Sequence, residues 1–530
     1  MEAITLIEDV FLFLPDRSTK PGAIAFGPSG IIAVGEKSAV RTKAGSKPRI
    51  ISLSGAFVLP GFCDGHTHMI WGAQQQTRVD LRSAKSRSEI TRRIRNWMKE
   101  NPSLPWILGQ WDESSWGGEL PDRTWVDEAT AGKPLFLTRA DMHSALVNSK
   151  ALEIAGIRPG TPDPAGGKIV RNSQTGVPTG ILLENAMELV VAKIPPLVAE
   201  ERIRALRNAF HLAHSFGVTA VHDILYQLNW EDMEVHRAAL AKEPDGLKVY
   251  MRVPLDYLDR LLAERKEISS RRFRLDGVKG FIDGALGSTT AWLEKPYAHD
   301  SSHSGITCIE NIPEFKEAIK RSAQANVSIS LHAIGDAAIG FAQDLYLDII
   351  RQGLGEAPLR IEHFQHPGNK HLEAMGHPRM FASIQPAHLL DDASSAEERL
   401  GPERAALSYP IKSLLTRGCP VVFGSDWDVA DLNPLVGLQA AVRRVDKVNH
   451  FPGGWHPEQA IGIAEAIECY TWAGARAAGM ADRVGRLAPG MAADLSVLDR
   501  DITSVPPEKI TEAKVVLTVI AGRIVYQNYG

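Results

Sequence analysis

The feature that most constrains the fold of this chain is an alternation. Eight short apolar segments are separated, for the most part, by longer stretches with helical spacing. They are "AFVLPGF" ahead of His66, "VTAVHD" ending at Asp223, "VYMRVPL" from Val249 and "VKGFID" from Val278, followed by "VSISLHA" from Val327, "RIEHFQH" from Arg360, "MFASIQP" from Met380 and "VVFGSDWD" from Val421. The helical stretches include "IPEFKEAIKRSAQAN" before the fifth segment and "AAIGFAQDLYLDIIRQG" after it, with apolar residues on one face. Strand–helix alternation repeated in this way predicts an α/β chain with a parallel (β/α)8 TIM barrel. The nearly continuous apolar texture is what strands buried on both faces need.

One interval breaks the rhythm. From His68 to the second segment is about 150 residues, against the roughly 30 that one strand–helix unit needs. The interval, about 71–205, carries Trp106, Trp111, Trp116 and Trp125 and a turn-rich "GTPDPAGGKIV", and reads as an insertion after strand one. Barrel sites lie at the C-terminal ends of the strands, so an insertion there is expected to wall the site. The two chain ends have another texture, short β-like pieces such as "AITLIEDVFLFL" and "KVVLTVIAGRIVYQ". The expected division is a small β-sandwich shared by 1–58 and 486–530, with the barrel in 59–485; the handover falls at Pro60-Gly61-Phe62.

Composition removes some alternatives. With 59 basic and 63 acidic residues the formal net charge is −4, which gives no electrostatic reason to expect nucleic acid or an anionic membrane as partner. No run of eighteen apolar residues suggests a membrane span. Cys63, Cys308, Cys419 and Cys469 are scattered and form no CxxC pair, so a disulfide framework is not expected and a cytoplasmic setting is. The expected partner is a small-molecule substrate, and a homodimer stays open.

The polar residues at the strand ends carry the chemistry. "DGHTH" puts His66 and His68 two apart, on one face of a strand. Strand four offers Lys279 and Asp283, strand five His332, strand six Glu362, His363 and His366, and strand eight Ser425, Asp426 and Asp428. A barrel gathers these at one rim. Imidazole and carboxylate ligands suit Zn²⁺, with other divalent first-row metals as alternatives. A bound metal makes a hydroxide nucleophile of its water near neutral pH, and a nearby carboxylate can move the proton to the leaving amine. A protonated Lys279 would repel metal; N-carboxylated, it would be an anionic bridge between two ions.

Together these residues carry a resemblance. "LPGFCDGHTH", "GVTAVHD", "VKGFIDGALGS", "LHAIGDAA", "RIEHFQH", "GSDWDVADLNP" and "GRLAPGMAADLSVLD" resemble the amidohydrolase superfamily, in the branch that includes N-substituted formamide deformylase. "DMHSALVNSKAL" and "PAGGKIVRNSQTGVPTGILLENA" in the insertion resemble the same branch. The resemblance spans essentially the whole chain and implies a metal-bearing (β/α)8 barrel with a β-sandwich from both ends. It implies that His66 and His68 hold the more buried ion, Lys279 bridges if carboxylated, His332 and His363 hold a second ion, and Asp426 binds metal and acts as the catalytic proton shuttle. Gly65, where alanine is commoner, is a mild departure.

Other residues have plainer readings. Asp283 is a turn residue, a partner of Lys279 or of a ligating histidine, or a substrate contact. Asp336 reads as a helix N-cap and Asn148 as another. Glu362, next to His363 on a strand, is expected on the opposite face with a structural role, and His366 on the rim. His222 and Cys63 read as packing, and Arg443 and Arg444 as helix surface. His143 is expected to reach the substrate from the insertion. The four tryptophans read as insertion core, with Trp111 a candidate for the pocket wall. The expected function is metal-dependent hydrolysis of a non-peptide C–N bond, amide or N-formyl in type. The alternatives are lactone or ester hydrolysis or isomerisation on the same site, or a non-catalytic regulatory homologue.

Overall fold

The structure is a computed structural model. It describes residues 4–529 except 112–115, 117–118, 140–143, 166, 226–229, 244–245 and 448. Along the chain run β1 (Thr5–Phe13), β2 (Thr19–Gly27), β3 (Gly30–Gly35), β4 (Arg49–Ser52), β5 (Phe57–Pro60) and β6 (Phe62–Thr67). Then come β7 (Val79–Asp80), β8 (Ile107–Trp111), β9 (Leu135–Arg139), β10 (Ser144–Val147), β11 (Gly167–Arg171) and β12 (Pro178–Glu184). They are followed by β13 (Val218–Ile224), β14 (Lys248–Pro254), β15 (Phe273–Phe281), β16 (Ser328–Ala333), β17 (Leu359–His363), β18 (Met380–Ile384) and β19 (Val421–Phe423). The last are β20 (Leu495–Leu498), β21 (Val515–Ile520) and β22 (Arg523–Gln527). By contacts the chain divides into two compact units, residues 1–69 with 207–530, and residues 70–206.

The first unit holds an eight-stranded parallel sheet in the order β19-β18-β17-β16-β15-β14-β13-β6, the nearly closed barrel of the (β/α)8 fold. Its two ends meet across a seam at the C-terminal rim. The Asp426 amide donates to the His66 carbonyl at 2.7 Å, and the His68 amide to the Trp427 carbonyl at 2.8 Å. Asp64 reinforces the seam, its Oδ1 accepting from the amides of His66 and Ser425 at 3.0 and 2.9 Å. Close approach explains the glycines there. A Cβ on Gly65 would lie 2.6 Å from the Phe423 carbonyl oxygen, and one on Gly424 2.5 Å from the His66 amide nitrogen. The helix Ile312–Gln324 is held at its start by Asn311, whose side chain accepts from the Glu314 amide. Asp336 is the first residue of its helix and Gly335 the cap; its carboxylate instead accepts from the amides of Glu294 and Ala337.

The segment "AFVLPGF" is two strands. Phe57–Pro60 pairs antiparallel with β20, and only from Phe62 does the chain enter the barrel, beside β13. The same unit thus carries a second sheet, β22-β21-β20-β5-β1-β2-β3 with β4 on β1, in which both chain ends pair. Alternation sorts its side chains. Ile7, Leu12, Ile24, Phe26, Val58, Val497, Leu517 and Val519 form one buried cluster, while Leu6, Ala23 and Ala25 pack with Val40 and Ala44 of the helix Lys37–Ala44.

The second unit has a mixed sheet in the order β11-β12-β10-β9-β8-β7. Trp106 and Trp111 are buried in its two cores, and Trp116 and Trp125 pack against one of them. Asn148 caps the helix Ser149–Ile154 through the Ala151 amide and also accepts from the Leu135 amide. Among the described residues no helix is long and apolar enough to cross a membrane.

Candidate metal centre

Strand ends of the barrel bring four histidines and one carboxylate together. His66 is fully buried and the His68 side chain 12% exposed, with ring centroids 5.4 Å apart. Their Nε2 atoms lie 3.4 and 3.1 Å from Oδ1 of Asp426. The other oxygen of Asp426 faces a second pair: Oδ2 is 4.0 Å from Nδ1 of His363 and 3.7 Å from Nε2 of His388. Donor atoms of His66, His68 and Asp426, and of His363, His388 and Asp426, are each close enough together to surround one ion. His363 and Asp426 both have positive φ, +75° and +58°, an uncommon conformation for residues with a Cβ that costs roughly 1–3 kcal/mol and clusters at functional sites.

The other ring nitrogens decide whether a metal fits. His66 Nδ1 is 2.7 Å from Glu362 Oε2, and His68 Nδ1 is 2.9 Å from the Ile224 carbonyl. His363 Nδ1 is 2.8 Å from Gln385 Oε1, and His332 Nε2 is 3.0 Å from the Gly284 carbonyl. Each ring thus has one N–H engaged by a fixed acceptor, which leaves the lone pair on the opposite nitrogen, the arrangement of metal-binding histidines. His66 Nε2 and Asp426 Oδ1 are buried without a hydrogen-bond partner, although such atoms are normally paired. The donor set therefore fits a divalent ion.

Electrostatics agree. Burial pushes His66 down to about 4, helped by the Lys279 charge, and His332 down to about 3, so both rings are neutral, the ligating form. Burial opposes ionisation of Asp426, but the histidines around it, His66 first, hold its carboxyl well below the usual range. Lys279 is buried, with Nζ 4.9 Å from the centroid of the Phe281 ring, and burial pushes its ammonium down to about 8. His332 stands beside His363, centroids 4.5 Å apart.

Several sequence expectations are corrected here. Glu362 does not face away. It is fully buried inside the barrel on His66, on the same face as Arg360 two residues earlier; it is His363 whose positive φ brings a side chain of the opposite parity to the same rim. Arg360 grips the same carboxylate through Nε and Nη2 at 2.8 and 3.0 Å and also reaches the Gly65 carbonyl. His222 accepts from both Arg252 and Arg360 at 2.9 Å. Asp283, 1% exposed, accepts from the amides of Trp292, Ile334 and Gly335, and its Oδ1 lies 3.6 Å from Nε2 of His332. Trp111 is 1% exposed and its indole N–H donates to the Leu137 carbonyl. His143 lies outside the described residues. Arg444 is no surface residue but fully buried, donating to the carbonyls of Trp455, Tyr409 and Ser408. His366 is buried too, with Nδ1 2.8 Å from Ser408 Oγ. Sequence reasoning missed His388, which sits in a short 3₁₀ turn, Pro386–His388, just past β18.

The family profile described as the amidohydrolase family matches residues 49–526. The chain belongs to the amidohydrolase family. This amidohydrolase is 34% identical to the protein named LONG AFTER FAR-RED 3 of Arabidopsis thaliana, over 98% of this chain and 91% of the relative. It is 26% identical to an N-substituted formamide deformylase of Arthrobacter pascens, over 97% of this chain and 96% of the relative. Among solved structures, an uncharacterized metal-dependent hydrolase from Pyrococcus horikoshii OT3 superposes with a TM-score of 0.75 at 26% identity, covering 96% of this chain and 99% of that one. The family is thus one of metal-dependent hydrolases.

Proposed function

We propose that this amidohydrolase hydrolyses a non-peptide C–N bond, of amide or N-formyl type, in a small molecule. The observation that carries the reading is the buried Asp426 carboxylate beside the Nε2 atoms of His66 and His68, whose other ring nitrogens are engaged by Glu362 and the Ile224 carbonyl. The full-length likeness to a formamide deformylase supports the bond type. His66, His68 and Asp426 would hold one ion, and His332, His363 and an N-carboxylated Lys279 a second; zinc is the proposed metal and the cytoplasm the proposed compartment, consistent with four unpaired cysteines. When bound, such an ion supplies Lewis-acid polarisation of a carbonyl and a water of lowered pKa.

The chain's own residues do the remainder. Asp426, held ionised, is placed to accept a proton from the attacking water and return it to the departing nitrogen. Glu362 and Arg360 hold His66 in one tautomer, and Gln385 does the same for His363. The test is a panel of N-alkyl and N-aryl formamides and acetamides, with matched esters and lactones. The expected result is turnover of the amides that a chelator abolishes and zinc restores. Turnover confined to esters and lactones would replace the reading with the neighbouring one.

A further inference from the structure

One histidine close enough to Asp426 to help surround an ion is used by neither of the two proposed ions. His388 ends the short 3₁₀ turn just past β18, with its ring stacked on His363, centroids 6.2 Å apart and planes 15° apart. Nε2 is buried and, among the described residues, has no hydrogen-bond partner. It points beside Asp426, 3.7 Å from Oδ2. The side-chain amide of Gln365 lies behind the ring, its nitrogen 3.4 Å from Nδ1. An amide –NH2 can only donate, so Nδ1 is the acceptor and Nε2 carries the proton. A ring with its proton on Nε2 cannot ligate metal through that atom. It can donate a hydrogen bond into the space where Asp426 works.

We propose that His388 is a catalytic residue that donates through Nε2–H to the substrate carbonyl oxygen, with Gln365 fixing the donor tautomer. The inference rests on the proposed C–N hydrolysis. The water oxygen adds to the carbonyl carbon, and the C=O π pair moves to the carbonyl oxygen, where the His388 N–H meets it. The water proton goes to Asp426. The C=O bond then re-forms, the C–N pair leaves with nitrogen, and Asp426 returns the proton to it. The products are a carboxylic acid and an amine. A fixed donor aimed at developing negative charge stabilises the transition state more than the ground state.

The experiment uses the metal-reconstituted full chain and the variants His388→Leu, His388→Gln and Gln365→Leu. Metal per chain is read by plasma mass spectrometry, kcat and KM on the best amide of the panel, and binding of acetohydroxamate by calorimetry. For His388→Leu the expected result is unchanged metal content, KM within about twofold and kcat lowered about 10²–10³-fold, the loss typical of one oxyanion donor. His388→Gln, which keeps an N–H, should recover part of kcat, and Gln365→Leu should fall between the Leu variant and the wild type. Loss of an ion in His388→Leu would make His388 a ligand and overturn the proposal, as would unchanged kcat. If the wild type turns over no amide, the functional reading fails by itself, and the donor is then judged by acetohydroxamate. Binding weakened tenfold or more in His388→Leu supports it; equal binding, or none to the wild type, overturns it.

Discussion

Glu362 Oε2 sits 2.7 Å from Nδ1 of His66, and both residues are fully buried. Behind them Arg360 holds the carboxylate with two bonds, which keeps Glu362 ionised despite its burial. The acidic residue therefore decides which nitrogen of His66 carries the proton. Glu362→Gln should lower zinc affinity about 10–100-fold, the usual effect of losing such a partner. Because it leaves a buried arginine without its counter-charge, it should also destabilise the apo fold by about 3 kcal/mol. Competition against a chromophoric chelator and urea unfolding read the two effects separately. Unaltered zinc affinity would remove Glu362 from the orienting role.

The barrel seam predicts the outcome of filling its glycine. In Gly65→Ala the new methyl meets the Phe423 carbonyl, a backbone atom with no rotamer to yield. The expected cost is about 1–3 kcal/mol, read as a lower urea midpoint with an unchanged slope. A variant as stable as the wild type would show that the seam is looser than described.

Acid stability should depend on a histidine far from the rim. His214 is 3% exposed, its Nε2 has no hydrogen-bond partner among the described residues, and burial pushes it down to about 4. Its folded pKa lies below the unfolded value near 6.5. Between those values the unfolded chain binds a proton that the folded chain does not, so stability falls as pH drops from 6.5 toward 4. Over this window the loss amounts to about 3 kcal/mol. His214→Leu should flatten that part of the melting-temperature profile, and an acid limb as steep as in the wild type would contradict the assignment.

Asp283 makes a prediction for loop order. Asp283→Ala strips acceptors from the amides of Trp292, Ile334 and Gly335. Buried amides left unpaired should cost about 3 kcal/mol in total. Hydrogen exchange should accelerate first at Ile334 and Gly335. Unchanged protection there would mean that the loops hold each other without the carboxylate.

The sequence made the barrel legible because parallel strands advertise themselves as apolar runs, and "VTAVHD" and "VSISLHA" mark β13 and β16 within a residue or so. It made His66, His68, His332, His363 and Asp426 legible as a group because each ends such a run. Local backbone events were not legible. Glu362 faces inward with Arg360, as the period-2 rule has it, while the positive φ of His363 brings the next side chain to the same rim, and no sequence pattern announces that turn. His388 escaped because it lies in a 3₁₀ turn beyond the strand, where alternation no longer assigns a face. Pro60-Gly61 split one apolar run into strands of two sheets, a break that the run's composition concealed. Arg444 looked solvated because a charged residue at a helix end usually is, yet three backbone carbonyls surround its guanidinium.

The central claim is that His66, His68 and Asp426 bind a divalent ion on which hydrolysis depends. The most direct measurement is metal per chain, by plasma mass spectrometry, of the natively purified protein and of a His66→Asn/His68→Asn double variant whose circular dichroism matches it. The account predicts a divalent ion in the native protein and the loss of at least one ion per chain in the variant. A native protein that is free of metal yet active, or a variant that keeps its full complement, would contradict it.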